Sequence, residues 1–119
     1  MSSRDYQILE HIYDHCCSAD ETLLRCNQSY DIFSSDDILQ SAMAFHILQI
    51  GELATHLSEE YRFDTSSQIP WHQIRGLRNR IVHNYDHIDK DVIWSSAVND
   101  IPGLKQFCES ELAMYSSSE

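Results

Sequence analysis

Along the first quarter of the chain, Leu9, Ile12, Cys16, Ala19, Leu23 and Cys26 recur at steps of three and four. That spacing places them on one face of a helix. It predicts a first helix over residues 4–28, with a seam nearly three heptads long that suits an antiparallel partner. Ser2 or Ser3 can cap its start, with Asp5 in the first turn. Ser18 and Glu21 also spell a capping box that would break the helix in two. The apolar register carries through Ala19 and favours continuity. A short loop, about 29–34, leads to a start signal at Ser34 to Asp37. The second helix, about 36–60, is apolar over a wider arc: Ile38, Leu39, Ala42, Met43, Phe45, Ile47, Ile50, Leu53, Ala54 and Leu57. Such an arc predicts a central helix packed on more than one side. Gly51 in its interior costs about 1 kcal/mol against alanine, which makes sense if another helix crosses closely there.

Residues 61–70 read as the only substantial loop. Pro70 disfavours a helical Ile69 and can open the next helix as its first residue. Ile74, Leu77, Ile81 and Tyr85 then place an amphipathic helix over 71–86. Asp86 or Asp89 starts a short helix through Val92, Ile93, Trp94, Ala97 and Val98. Asp100 caps a last helix beginning at Pro102, with Leu104, Phe107, Cys108, Leu112 and Tyr115 on its apolar side. The tail from Ser116 to Glu119 should fray. The sum is a single domain over 1–119, core about 4–115, folded as an all-α up-and-down bundle of four to five helices.

Composition agrees, since only three Gly and two Pro in 119 residues leave room for few turns and for long helices. No run of about 18 apolar residues exists, so no membrane span is expected, and the first residues lack the apolar core of a signal peptide. Cys16, Cys17, Cys26 and Cys108 form no Cys-x-x-Cys pair, and Cys16 and Cys26 fall at core positions, which suits a reducing cytoplasm. The formal net charge of −11 argues against general nucleic-acid affinity, because phosphate neutralisation needs several cations on one surface. Yet residues 71–86 gather Arg75, Arg78 and Arg80, three of the eight Lys and Arg residues, beside His72 and His83. In so acidic a chain, this basic island marks where an anionic group is tolerated.

Proton transfer beside a bound phosphate needs a base to take the proton and a cation to hold the anion as charge builds. Histidine titrates in the right range for the first, and arginine offers a fixed fork of donors for the second. His83 and Arg78 fit those roles, and Asn79 next to Arg78 can orient His83 or the bound group. On an ideal helix Arg78 and His83 lie about 140° apart. They meet one phosphate only if the helix ends or bends near His83, or if a second chain completes the site. Arg75 and Arg78, three apart, share a flank. The plainer reading is a solvated Arg–His surface, with Tyr85 continuing the apolar side and its hydroxyl emerging at the rim. Arg80 lies on the far flank as a solvent or phosphate contact. Glu52 is either a solvated charge or a partner for one of these arginines. His72 and His87 have weaker claims, and with Asp86 they match no common metal-ligand spacing. Neither metal nor cofactor is implied.

The order Arg78-Asn79-x-x-x-His83-x-Tyr85 resembles the Arg-polar-x-x-x-His-x-Tyr signature of HEPN domains, specifically the HepT-like ribonuclease toxins. Ile69-Pro70-Trp71 before it, Gly51-Glu52 on an earlier helix and Asp100-Ile101-Pro102 after it extend the resemblance to roughly residues 5–112. The resemblance implies a metal-independent endoribonuclease of a toxin–antitoxin pair, with Arg78, His83 and Asn79 catalytic and Arg75 and Arg80 touching RNA. It implies a homodimer whose motif helices face one another across a cleft, which would answer the angular problem of Arg78 and His83. It also implies a minimal nucleotidyltransferase antitoxin that silences the toxin by adding AMP to Tyr85. The alternative is a non-catalytic HEPN module that binds a nucleotide or a nucleotidyltransferase as a regulatory subunit.

Overall fold

Ser2 accepts a hydrogen bond from the Asp5 backbone N–H at 3.0 Å and starts α1 (Ser3–Arg25), which runs through residues 18–21 without a break. The computed structural model describes residues 1–84 and 87–117, with the backbone alone at 82–84, 87–88 and 117. All six residues of the seam from Leu9 to Cys26 are buried. The connection expected as a loop at 29–34 holds a short helix, α2 (Tyr30–Ser34), capped by Ser29, with Phe33 buried. One buried side chain and one cap are too little for periodicity to register.

Asp36 accepts from the Ile38 and Leu39 backbone N–H groups and starts α3 (Asp37–His56). This helix stops four residues short of its expected end. Leu57 is extended and Ser58 caps another short helix, α4 (Glu59–Asp64), so the expected loop at 61–70 begins later. Arg62 of α4 donates to the Ala54 and Thr55 carbonyls, satisfying acceptors that the end of α3 leaves open.

The expected helix over 71–86 is divided. It consists of α5 (Trp71–Arg75), a turn at Gly76, and α6 (Leu77–Ile81), after which the chain becomes extended as β1 (Val82–Asn84). β1 pairs antiparallel with β2 (His87–Ile88), Val82 opposite Ile88 and Asn84 opposite His87. The Asp89 N–H donates to the Ile81 carbonyl at 2.8 Å and closes the base of this pair. Asp89 then caps α7 (Lys90–Ser95). Asp100 does not cap a separate last helix. A π-helical turn at Ser96–Asp100 leads straight into α8 (Ile101–Ser117). In a regular α-helix the Pro102 ring would clash with the Val98 carbonyl, and the wider winding lies at that carbonyl.

Contacts along the helices fix their directions. Tyr6 meets Tyr115 and Ser116, Tyr13 meets Glu109, and Asp20 meets Lys105, so α8 runs antiparallel to α1. Asp5 meets Ser58 beyond the end of α3, and His15 meets His46, so α3 is antiparallel to α1 as well. The fold is all-α apart from the short ladder, built around one apolar core shared by α1, α3, α5, α6 and α8. Part of the α3 arc stays uncovered: Ile38 is 79% and Phe45 53% exposed. Among the described residues no helix is long and apolar enough to cross a membrane.

Asp5 is the buried charge that ties α1 to α4. Its carboxylate accepts from the Ser58 N–H and Oγ, both at 2.8 Å. Burial raises its pKa, but the hydrogen bonds from Ser58 and Ser2 outweigh that and hold it below the usual carboxylate range. Asp5→Ala should destabilise the fold by about 1–3 kcal/mol in urea titration, since two hydrogen bonds to a charged acceptor are lost. A depressed folded-state pKa contributes stability above the unfolded value of about 3.9 and loses it as pH falls through the folded value. The gap between wild type and Asp5→Ala should therefore narrow below about pH 4.

Candidate functional site

The basic island is held from below by its apolar residues. Trp71, Ile74, Leu77 and Ile81 are all buried. The Trp71 indole Nε1 donates to Thr65 Oγ1 at 2.8 Å, and Thr65 Oγ1 donates on to the Tyr61 carbonyl at 2.8 Å. Trp71 also packs edge-on against Phe107 of α8, ring centroids 5.9 Å apart. The start of α5 is thus fixed by one buried hydrogen-bond relay and one aromatic contact. Gly51 explains itself here, because a Cβ on it would lie 3.1 Å from the Ile74 carbonyl oxygen. The close crossing expected from the sequence is that of α5 over α3.

With the apolar side pinned down, Arg75, Arg78, Asn79 and Arg80 are all exposed, as is His72. None of the three arginines pairs with a carboxylate among the described residues. Glu52 serves none of them. It lies exposed and meets His56 Nε2 at 3.3 Å one turn along α3. Because α6 ends at Ile81, the backbone of His83 lies in β1 and not on the helix of Arg78. The separation of about 140° that a continuous helix would enforce no longer applies. Tyr85, the expected modification site, lies outside the described residues, as does the side chain of His83.

Two features escaped the sequence reading. The first is a pocket of about 200 Å³ between α5–α6 and the start of α8. Its floor is Ile69, Ile74, Leu77 and Leu104, and its rim carries Arg80, Gln68, Gln73, Asn99 and Asp100. The signal that could have found it is Gly103, a second glycine inside a helical stretch. The other feature is the His15–His46 pair on the α1–α3 face, Nδ1 to Nδ1 at 3.0 Å. Burial lowers both imidazole pKa values, so one neutral ring donates to the other. No cluster of three metal-binding side chains occurs among the described residues.

The family described as Ribonuclease HepT-like matches over residues 8–111. A protein of Caldanaerobacter subterraneus subsp. tengcongensis, provisionally named an RNase, is 31% identical over 98 residues, covering 82% of this chain and 85% of that one. A protein of Methanocaldococcus jannaschii with a similar provisional name is 27% identical over 110 residues, 92% of this chain and 98% of its own. A "Probable ribonuclease HepT" of Thermococcus cleftensis is 28% identical over 76 residues, 64% of this chain and 68% of that one. No solved structure gives a significant match.

The relay at Trp71 supplies a test of how the island is held. Thr65→Val keeps the shape of the side chain but strands the buried indole N–H. It should lower stability by about 1–3 kcal/mol, read from urea unfolding, while Thr65→Ser should recover most of the loss.

Proposed function

Because the chain belongs to the HepT-like ribonuclease family, we propose that it is a metal-independent endoribonuclease whose site is built on Arg78 and His83. The observation that carries this reading is the end of α6 at Ile81. It removes the helical geometry that would hold Arg78 and His83 on different sides, while Arg78 stands exposed and without a carboxylate partner among the described residues. In the proposed reaction the His83 imidazole takes the proton of a ribose 2′-hydroxyl. The freed oxygen attacks the adjacent phosphorus, and the 5′-oxygen departs with the proton that His83 took. A 2′,3′-cyclic phosphate and a 5′-hydroxyl remain. Arg78 holds the phosphate oxygens as charge builds on them, a contribution of about 3–4 kcal/mol for a well-placed donor. Asn79 orients the imidazole or the ribose, and Arg75 and Arg80 contact the strand to either side.

The working form in this reading is a homodimer, with two copies of Arg78 and His83 along one groove. The uncovered Ile38 and Phe45 support an apolar partner surface on α3. The reading further places the chain as the toxin of a toxin–antitoxin pair in the cytoplasm. Its nucleotidyltransferase antitoxin adds AMP to Tyr85, setting an anion and a base beside Arg78 where RNA would lie. The formal charge of −11 favours a second reading, a non-catalytic module that only binds a nucleotidyltransferase, and the cleavage assay separates the two.

Arg78→Ala and His83→Ala should each reduce RNA cleavage by about 100-fold or more. For the exposed Arg78, stability should change by no more than about 0.5 kcal/mol. Cleavage should persist in chelator and leave the cyclic phosphate end. Full activity in His83→Ala, or its loss in chelator, would count against the mechanism. With the cognate nucleotidyltransferase and ATP, the protein should gain mass in multiples of AMP, mapped to Tyr85 by peptide sequencing. Tyr85→Phe should stay unmodified, and an adduct on another tyrosine would end that part of the reading.

A further inference from the structure

The pocket beside α6 holds an arrangement that the chain does not use for itself. Arg80 and Asp100, opposite in charge, both line it without forming an ion pair. The same pocket has an apolar lining that includes Ile74, Leu77 and Leu104. Gly103, on the wall, sits inside the helical run that extends from Lys90 to Ser117. Glycine is the poorest helix former after proline. Gly51 has a reason within the chain, the Ile74 carbonyl, but a Cβ at Gly103 would meet nothing within 4 Å. The backbone there is ordinary helix, so no contact within the chain requires the missing side chain, and its absence leaves the pocket wall open.

Resting on the ribonuclease reading, we propose that this pocket binds one base of the RNA strand, and that the base is guanine. The apolar floor suits a flat ring. Arginine donates in a fork to guanine O6 and N7, and a carboxylate, which only accepts, suits the guanine N1–H and N2–H groups. No other base offers an acceptor pair to Arg80 and a donor pair to Asp100 at once. The amides of Gln73 and Asn99 on the rim can serve the ribose or the remaining edge. A pocket of about 200 Å³ is smaller than the general range for whole ligands, about 300–1,000 Å³, which fits a single base. Recognition of one splayed base is how single-stranded RNA is commonly read. On α6, Arg80 faces this pocket and Arg78 lies two residues before it, so the strand crosses a helix about 10–12 Å wide between base and scissile phosphate.

The test uses four short single-stranded RNA homo-oligomers with 2′-O-methyl riboses, which lack the hydroxyl needed for cleavage. The guanine oligomer should bind tightest and shift the side-chain amide NMR signals of Gln73 and Asn99. Gly103→Leu fills the pocket and replaces a poor helix former with a good one. It should keep its helical circular dichroism and weaken guanine binding by about tenfold, the size of one lost base contact. Asp100→Asn should lose the preference for guanine while still binding RNA. Equal affinity for all four oligomers, silent amides, or unchanged binding in Gly103→Leu overturns the proposal. So does a Gly103→Leu variant that binds guanine normally but no longer binds the nucleotidyltransferase, which would make the pocket a protein-docking site. Wild-type protein that cleaves unmodified RNA with silent amides ends the base site alone. Wild-type protein that binds the guanine oligomer in the pocket without cleaving RNA ends the ribonuclease reading and leaves the base site standing.

Discussion

The geometry of the basic island depends on one close approach, the passage of α5 over α3 at Gly51. The Ile74 carbonyl sits 3.1 Å from where a Cβ would be, so backbone packs on backbone at that point. Everything downstream follows from that seating. Trp71, Ile74, Leu77 and Ile81 turn into the core, and the polar residues between them stay exposed. α5 ends at Gly76 once it has passed the crossing, and α6 takes five residues to reach Ile81. A helix continuing in register across both segments would have carried Arg78 and the backbone of His83 together along one cylinder.

Charge is distributed so that this island stands apart. The seam between α1 and α8 carries its own polar partners, with Lys105 on Asp20 at 2.8 Å and Tyr13 donating to Glu109 at 3.1 Å. Hydrogen bonds to Cys17 and Glu109 push the Tyr13 phenol up to about 12, so it stays protonated. Arg25 and Arg62 are likewise engaged, by Glu21 and by the end of α3. Exposed pairs of this kind add little stability, and the apolar core carries the fold. Their effect is on where cations remain available: Arg75, Arg78 and Arg80 face solvent close together without a carboxylate among the described residues, whereas Arg4 stands exposed alone at the start of α1. In a chain of charge −11, that is a local exception with a defined place.

The sequence by itself determined the long elements and their inward faces. The seam of α1, the central place of α3, the closeness at Gly51, and the burial of Cys16 and Cys26 were all legible. Each leaves a repeated signal over several turns, and periodicity reports burial directly. The identity of the island was legible for a related reason, since charge clustering and motif order need no coordinates. Tertiary structure alone decided the interruptions. α2 and α4 are five and six residues long, shorter than the window in which a helical period can be told from chance. The apolar residues at 74, 77 and 81 keep a helical spacing across Gly76, so the pattern could not show the break. Asp100 and Pro102 form a good stop-and-start signal, yet the helix carries through by widening one turn, at the carbonyl the Pro102 ring would otherwise meet. The pocket beside Arg80 left only one mark in the sequence, the glycine at 103. Its walls come from segments some thirty residues apart, and an empty volume exists only once those segments are packed.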